Sequence, residues 1–482
     1  MNQLTSLGDE ARIALDTAAG RAAGLFNPNV RLGVTGLSRA GKTVFITALV
    51  HNLIHGGRLP LFDVVRSGRL ARAFLEPQPD DSVPRFAYED HVRALVDERV
   101  WPESTRSISQ LRLTVEYESA SGWNRVFGRG RLHIDIVDYP GEWLLDLPLL
   151  GKDFRTFSAE ATEQSESPAR SEVAHQWRAI ADAIDPDADA DEAQAETLAR
   201  AFRAYLAECR AASRSLSTLP PGRFLMPGDM EGSPALTFAP LTRMSDRARS
   251  GSMQALMQRR YEAYKSLVVK PFFRAHITRL DRQIVLVDAL SAINAGHEAV
   301  ADLERALSEI LSCFRPGRNN PLSALLSRRI DRILVAATKA DHLHHESHHR
   351  LEAIIDRLVE RAAKKASLSG ASVNTVAMAA VRATREATVS EKGDTLPVVV
   401  GTPIEGEKIG GETFDGKRET AVFPGDLPAD PGTLFEASEG AGQRFVRMRP
   451  PRLERTAEGA TLSLPHIRLD KALQFLFGDR LA

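Results

Sequence analysis

Residues 36–43 read GLSRAGKT and meet every fixed position of the G-x-x-x-x-G-K-[ST] phosphate loop. The spacing has a chemical reason. Gly36 and Gly41 let the backbone wrap a phosphate chain, so that successive N–H groups converge as an anion nest. Lys42 reaches the β- and γ-phosphates, and the Thr43 hydroxyl is a candidate Mg²⁺ ligand. Gly36, Ser38, Arg39, Ala40, Gly41, Lys42, Thr43 and Val44 are the candidate phosphate contacts. Asp138-Tyr139-Pro140-Gly141 has the form D-x-x-G, in which the Asp holds Mg²⁺ through water and the Gly N–H senses the γ-phosphate. Alone this is a common turn; one strand beyond a phosphate loop it carries weight. Thr338-Lys339-Ala340-Asp341 fits [NT]-K-x-D, with His342 next in the chain. One carboxylate, Asp341, can accept from both N1–H and the 2-amino group of guanine, a donor pair that adenine lacks. Lys339 would lay its stem across the base and brace the phosphate loop.

Such residues need strand ends to hold them. Val30–Val34 is a β-forming run directly before the phosphate loop, and Lys42–Ile54 reads as the helix after it, one half of a βαβ unit. Gln110–Tyr117 and Leu132–Val137 read as adjacent strands. Ile284–Val287, Ile333–Ala337 and Val373–Met378 are short apolar runs suited to parallel strands buried on both faces. Residues 55–109 offer helix-like pieces and turns. The expected organisation is an N-terminal helix (1–29), a first core half (30–151), a helical insertion (152–280), a second core half (281–392), a β-rich insertion (393–450) and a C-terminal core helix (451–482). The fold class is α/β: a P-loop NTPase with a mostly parallel sheet flanked by helices.

The chain resembles the YcjX-type family of bacterial P-loop GTPases, stress-associated proteins of poorly defined role. The resemblance rests on GLSRAGKTVFITALVHNL, VWPEST, DIVDYPGEWLLDLPLL, VAATKADH, AMAAVRAT and PHIRLDKALQFLFGDRL, which span nearly the whole sequence. It implies a Ras-like core with a helical insertion that binds GTP or GDP with Mg²⁺. It further implies a stress-related process and a membrane-associated protein partner. A Mg²⁺-ligating threonine is expected between the first helix and the second strand; Thr105 is chosen, with Ser104, Ser107 and Ser109 as competitors. The metal set is then Thr43, Thr105 and Asp138. The loop meeting guanine O6 should follow Val373–Met378, at Ala380, Val381 and Arg382, in a register open by a residue. Small GTPases usually place glutamine after D-x-x-G to orient water. Here Glu142 stands there, so slow hydrolysis is expected, with Lys42, Thr105, Gly141, Glu142 and Arg39 as the catalytic candidates and Arg106 as a second arginine. The alternative is a non-hydrolysing or ATP-using scaffold.

Composition narrows the field further. Sixty-two basic and 63 acidic side chains leave a net charge of −1, which argues against a nucleic-acid binder. Two cysteines, Cys209 and Cys313, argue for a reducing compartment. No uncharged apolar run reaches the roughly 18 residues of a membrane span. A cytoplasmic protein is expected, peripheral at the inner membrane where a partner recruits it. Leu144–Leu150 and Phe475 are the candidate partner surface, and His344/His348 and His345/His349, each four apart, a candidate transition-metal pair. The oligomeric state is left open.

Overall fold

A computed structural model describes residues 28–482 except 38, 104–106, 121–129, 212–213, 315–329, 369, 392–393, 410, 437–444 and 454–462. The expected N-terminal helix, Ser38, Ser104, Thr105 and Arg106 lie outside the described residues.

Seven strands form one sheet in the order β2-β3-β4-β1-β5-β6-β7. They are β1 (Asn29–Gly36), β2 (Leu70–Glu76), β3 (Ser109–Tyr117), β4 (Gly130–Asp138), β5 (Arg282–Val287), β6 (Arg332–Ala337) and β7 (Ser372–Ala377). The pairs β4–β1, β1–β5, β5–β6 and β6–β7 are parallel, and β2–β3 and β3–β4 antiparallel. Apolar runs became central strands for the expected reason: β5 is buried at all six positions, because helices cover both sheet faces. This is the mixed α/β arrangement of a Ras-like P-loop NTPase.

Alternation along the strands divides the core in two. Leu32, Val34, Ile136, Ile284 and Leu286 face α1 (Lys42–Ile54) and the C-terminal helix. Val137, Val285, Val287, Val335 and Ala337 face the opposite way, toward α6 (His297–Phe314) and α7 (His348–Leu368). Between β4 and β5 the chain forms α2 (Phe154–Ser165), α3 (Pro168–Ala183), α4 (Glu192–Arg210) and α5 (Met253–Tyr264). Asp153 and Asp191 cap α2 and α4, accepting from Thr156 N (2.8 Å) and Ala193 N (2.8 Å). Stacked pairs such as Phe157–Tyr261 and Trp177–Tyr205 fill the space between these helices. Their apolar residues belong to the same continuous cluster as α6 and α7, so the inserted helices share the sheet's core.

Two strands escaped the sequence reading. β2 lies within the stretch expected to be helix-like; it is an edge strand with mostly solvent-accessible side chains, so its apolar signal is weak. β8 (Arg385–Glu391) begins before residue 393 and pairs antiparallel with β9 (Asp394–Gly401), which β10 (Thr420–Val422) joins. The closing helix α8 (Leu469–Phe477) buries Leu469, Ala472, Leu473, Leu476 and Phe477, while Phe475 lies half-buried beneath Arg332. Among the described residues no helix is long and apolar enough to cross a membrane.

Because Leu473 is fully buried on α8, Leu473→Ala should cost about 2–5 kcal/mol through lost burial and a residual cavity. Leu61→Ala, at a position 55% exposed, should change stability by less than about 0.5 kcal/mol. Denaturant midpoints of the two variants check this, and equal shifts would contradict the packing of α8.

Candidate functional site

The phosphate loop turns out of β1 with Arg39 (φ +61°) and Gly41 (φ +83°) both in the left-handed region. Gly41 carries that conformation without strain; Arg39 is an uncommon residue for it. Ala40 N donates to Leu37 O (3.1 Å), and Phe45 N to Gly41 O (2.9 Å) as α1 begins. The first-turn N–H groups of α1 and its positive dipole end therefore face the loop. Thr43 is buried, with its hydroxyl donating to Glu103 O (3.4 Å).

A cleft of about 450 Å³ opens over this loop. It is lined by Arg39, Ala40, Gly41, Lys42, Thr43 and Val44 at one end and by Thr338, Lys339, Asp341 and His342 at the other. Thr338 N donates to Val287 O (2.9 Å) and anchors the turn beyond β6 to β5. Lys339 has φ +62°, and its ammonium pairs with Asp288. Burial opposes ionisation of Asp288, but Lys339 and Ser291 outweigh it and hold the carboxyl below the usual range. Asp341 Oδ2 accepts from Ala383 N (2.9 Å), so the loop beyond β7 fixes that carboxylate. Burial pushes His342 below the ordinary imidazole range. Ala379, Ala380 and Val381 complete this end. Arg382 is not in the lining; its guanidinium turns to Thr384 O (3.0 Å) and Glu386 (3.1 Å), so the residues of this loop that face the cleft are 379–381.

The same cleft has a wall that the sequence analysis missed. Trp101, Ile404, Arg447 and Met448 line it, and Trp101 Nε1 donates to Met448 O (2.6 Å). Those partners are 347 residues apart, with no local signal to join them.

Asp138 ends β4, buried and opposite Val34 of β1. Gly141 packs directly on the phosphate loop: a Cβ there would lie 1.7 Å from Gly36 O. Glu142 turns toward the inserted helices and pairs with Arg210 (3.2 Å). Both line a second cavity with Leu37, Arg39 and Asp288. Leu144, Leu145, Leu147 and Leu149 are buried in the main cluster, so that run is core and no partner surface. Trp143 Nε1 donates to Met226 O (2.9 Å) and its ring lies under the Arg223 guanidinium, 3.2 Å from the centroid. Asp146 accepts from Gly222 N (2.7 Å) and Tyr264 OH (2.7 Å); burial nevertheless pushes its carboxyl up to about 7. Of the competitors to Thr105, Ser107 is exposed and Ser109 begins β3.

The candidate pairing of His344 with His348 is not formed. His348 is buried with Nε2 against Ala340 O (2.8 Å), and its companion in the metal pattern, His344, lies with His345 and Glu346, their ligand atoms within 4.8 Å. His345 Nδ1 also contacts Glu386 (2.6 Å).

Residues 30–481 match the model of the YcjX-like family, DUF463. The chain is 38% identical over 466 residues to the protein named Ras-like GTPase YcjX of Escherichia coli (strain K12), covering 94% of this chain and 96% of that one. It is 34% identical over 474 residues to the protein of the same name from Shewanella oneidensis, covering 94% and 95%.

The Asp146 contact should titrate. With the folded carboxyl near 7 and an unfolded value of about 3.9, the folded state holds the proton more tightly. The contribution is complete below about pH 4 and lost as the pH rises through about 7. Melting temperatures of the wild type and Asp146→Asn at pH 5.5 and 8 test this. The wild type should lose stability relative to the variant at the higher pH; a constant difference would refute it.

Proposed function

The chain belongs to the YcjX-like family, and from that premise we propose that it is a Mg²⁺-dependent guanine-nucleotide-binding protein that hydrolyses GTP slowly and acts as a nucleotide-dependent switch. The observation carrying this reading is the 450 Å³ cleft. Its size suits a nucleotide, and its two ends differ in chemistry as such a ligand requires. One end offers a helix N-terminus, a glycine loop and Lys42 for phosphates; the other offers a buried carboxylate and the Lys339 stem for a base. The relatives' printed name, Ras-like GTPase, supports the same reading.

The residues present fit magnesium. The Thr43 hydroxyl and Asp138 carboxylate are hard oxygen donors, carried by the helix after β1 and the end of its partner strand β4. Bound there, Mg²⁺ would neutralise charge on the β- and γ-phosphates. Thr105 would contribute a further hydroxyl from the segment before β3. Lys42 would neutralise the phosphate chain, and Gly141 would present its N–H to the γ-phosphate from a loop that cannot retreat without leaving Gly36. Asp341 would accept from guanine N1–H and the 2-amino group, while Ala380 and Val381 would offer backbone N–H groups to O6. Slow turnover follows from Glu142 at the usual position of glutamine: a carboxylate repels a γ-phosphate, and this one is engaged by Arg210. A stress-related process and a membrane-associated partner, both implied by the sequence resemblance, complete the proposal.

Affinities for GDP, GTP and ATP, measured side by side with and without Mg²⁺, test the reading. GDP and GTP should bind far more tightly than ATP. Asp341→Asn should weaken GDP by on the order of 100-fold, because unpaired buried donors cost about 1–3 kcal/mol each, and should favour xanthosine diphosphate, whose 2-oxo group accepts where guanine donates. Equal affinity of the wild type for ATP and GTP would overturn the assignment of Asp341. GTP bound without turnover would leave a nucleotide-dependent scaffold in its place.

A further inference from the structure

We propose that Arg210, the last residue of α4, is the arginine that meets the γ-phosphate during hydrolysis, and that Glu142 holds it ready beside the phosphate loop. The inference rests on the GTPase reading and deepens it by naming the source of the missing positive charge.

Three observations carry it. First, Arg210 is paired with Glu142 at 3.2 Å, and Glu142 directly follows the glycine that packs on Gly36. Second, both side chains line a cavity with Leu37 and Arg39 of the phosphate loop, and Arg39 also lines the nucleotide cleft. Among the described residues of that cavity, Arg210 is the one cation contributed by the inserted helices. Third, the inserted segment cannot drift from the loop that holds Glu142. A Cβ on Gly222 would lie 1.8 Å from Glu142 O, and Asp146 accepts from Gly222 N. The position of α4 is therefore tied to the backbone that would sense the third phosphate.

The electrostatics favour an exchange of partners. In the present geometry one carboxylate neutralises Arg210. A bound triphosphate presents more negative charge, and the planar guanidinium suits two of its oxygens at once. In the transfer, the bond from Pγ to the bridging oxygen of GDP breaks while a bond from the water oxygen to Pγ forms. The water proton ends on the released phosphate. Arg210 neither gains nor loses a proton; its N–H groups stabilise charge on the moving phosphoryl oxygens. On this account Glu142 keeps Arg210 beside the phosphate loop until a triphosphate displaces it, and so restrains the rate, which explains how a carboxylate can stand where water-orienting glutamine is usual.

Single-turnover hydrolysis by the full-length protein preloaded with GTP and started with Mg²⁺ tests this. Arg210→Ala should slow the chemical step by about 100-fold or more, the scale expected of an arginine finger, while GDP and GTP affinities change less than about threefold. The variant should fail to form the GDP–aluminium fluoride complex that the wild type forms, and millimolar guanidinium ion should restore part of its rate. Arg210→Lys, which keeps the charge, should retain an intermediate rate. Glu142→Ala, which releases the guanidinium without supplying a water-orienting glutamine, should raise the rate several-fold. An unchanged rate in Arg210→Ala, or a fall in affinity as large as the fall in rate without guanidinium rescue, would overturn the role of Arg210 and leave the GTPase reading intact. A wild type that neither binds nor hydrolyses GTP would overturn both.

Discussion

Three backbones meet in this protein with no side chain between them. The Gly141 Cα sits against the carbonyl of Gly36, and the Gly222 Cα against the carbonyl of Glu142, so tightly that an added methyl would fall 1.7 and 1.8 Å from those oxygens. Real Cβ atoms do not approach backbone oxygen so closely, so glycine is required by space alone; neither residue has positive φ. Phosphate loop, D-x-x-G loop and inserted segment are consequently stacked at contact distance. Close-packed groups of this kind respond by moving together, because there is no soft layer to absorb a displacement.

The polar contacts around the stack add direction to it. Trp143 is held by Met226 O and by the Arg223 guanidinium over its ring, while Asp146 is shared between Gly222 N and Tyr264 OH. Removing one partner from such a buried set leaves another unsatisfied, at about 1–3 kcal/mol, so the D-x-x-G loop and the inserted segment favour a single docked arrangement. The shared apolar cluster works the same way. Helices α2–α5 bury their faces against the elements that also cover the sheet, so their position is set by the nucleotide-binding core.

Much of this was legible because local chemistry and local geometry coincide. A phosphate loop needs its glycines and lysine within eight residues, and α1 begins at Lys42 and ends at Ile54 as the pattern requires. Strands buried on both faces advertise themselves as apolar runs, hence β5 and β6. Strands that show one face to water do not: β2 and β8 carry charged residues along their length, and Arg72 of β2 pairs with Glu116 across the edge. Leu144–Leu150 misled for the converse reason, since an apolar run announces burial without saying against what. Arg210 and Glu142 are 68 residues apart, and Trp101 and Met448 are 347 apart. Contacts between distant segments depend on how α4 and the β8–β10 region fold back, which no spacing rule encodes.

The cleft draws its walls from both ends of the chain, and that has a thermodynamic consequence. Arg39–Val44 come from the first core half, Thr338, Lys339, Asp341, His342 and Ala379–Val381 from the second, and Ile404, Arg447 and Met448 from the region beyond β9. Hydrogen bonds join the segment before β3 to the region beyond β9: Trp101 Nε1 to Met448 O, and the guanidinium of Arg99 to Pro450 O (3.1 Å). A ligand that touches all these walls binds only when they are assembled, so its binding free energy adds to their docking; at about 1,000 times its Kd the gain is roughly 4 kcal/mol. The lining is joined at one end to the inserted helices, through Gly36, Gly141 and Gly222, and at the other to the β-rich region, through Trp101 and Met448. The two sets of contacts are separate, so an alteration at Trp101 can loosen the wall formed with Ile404, Arg447 and Met448 while the stacked glycines stay in register.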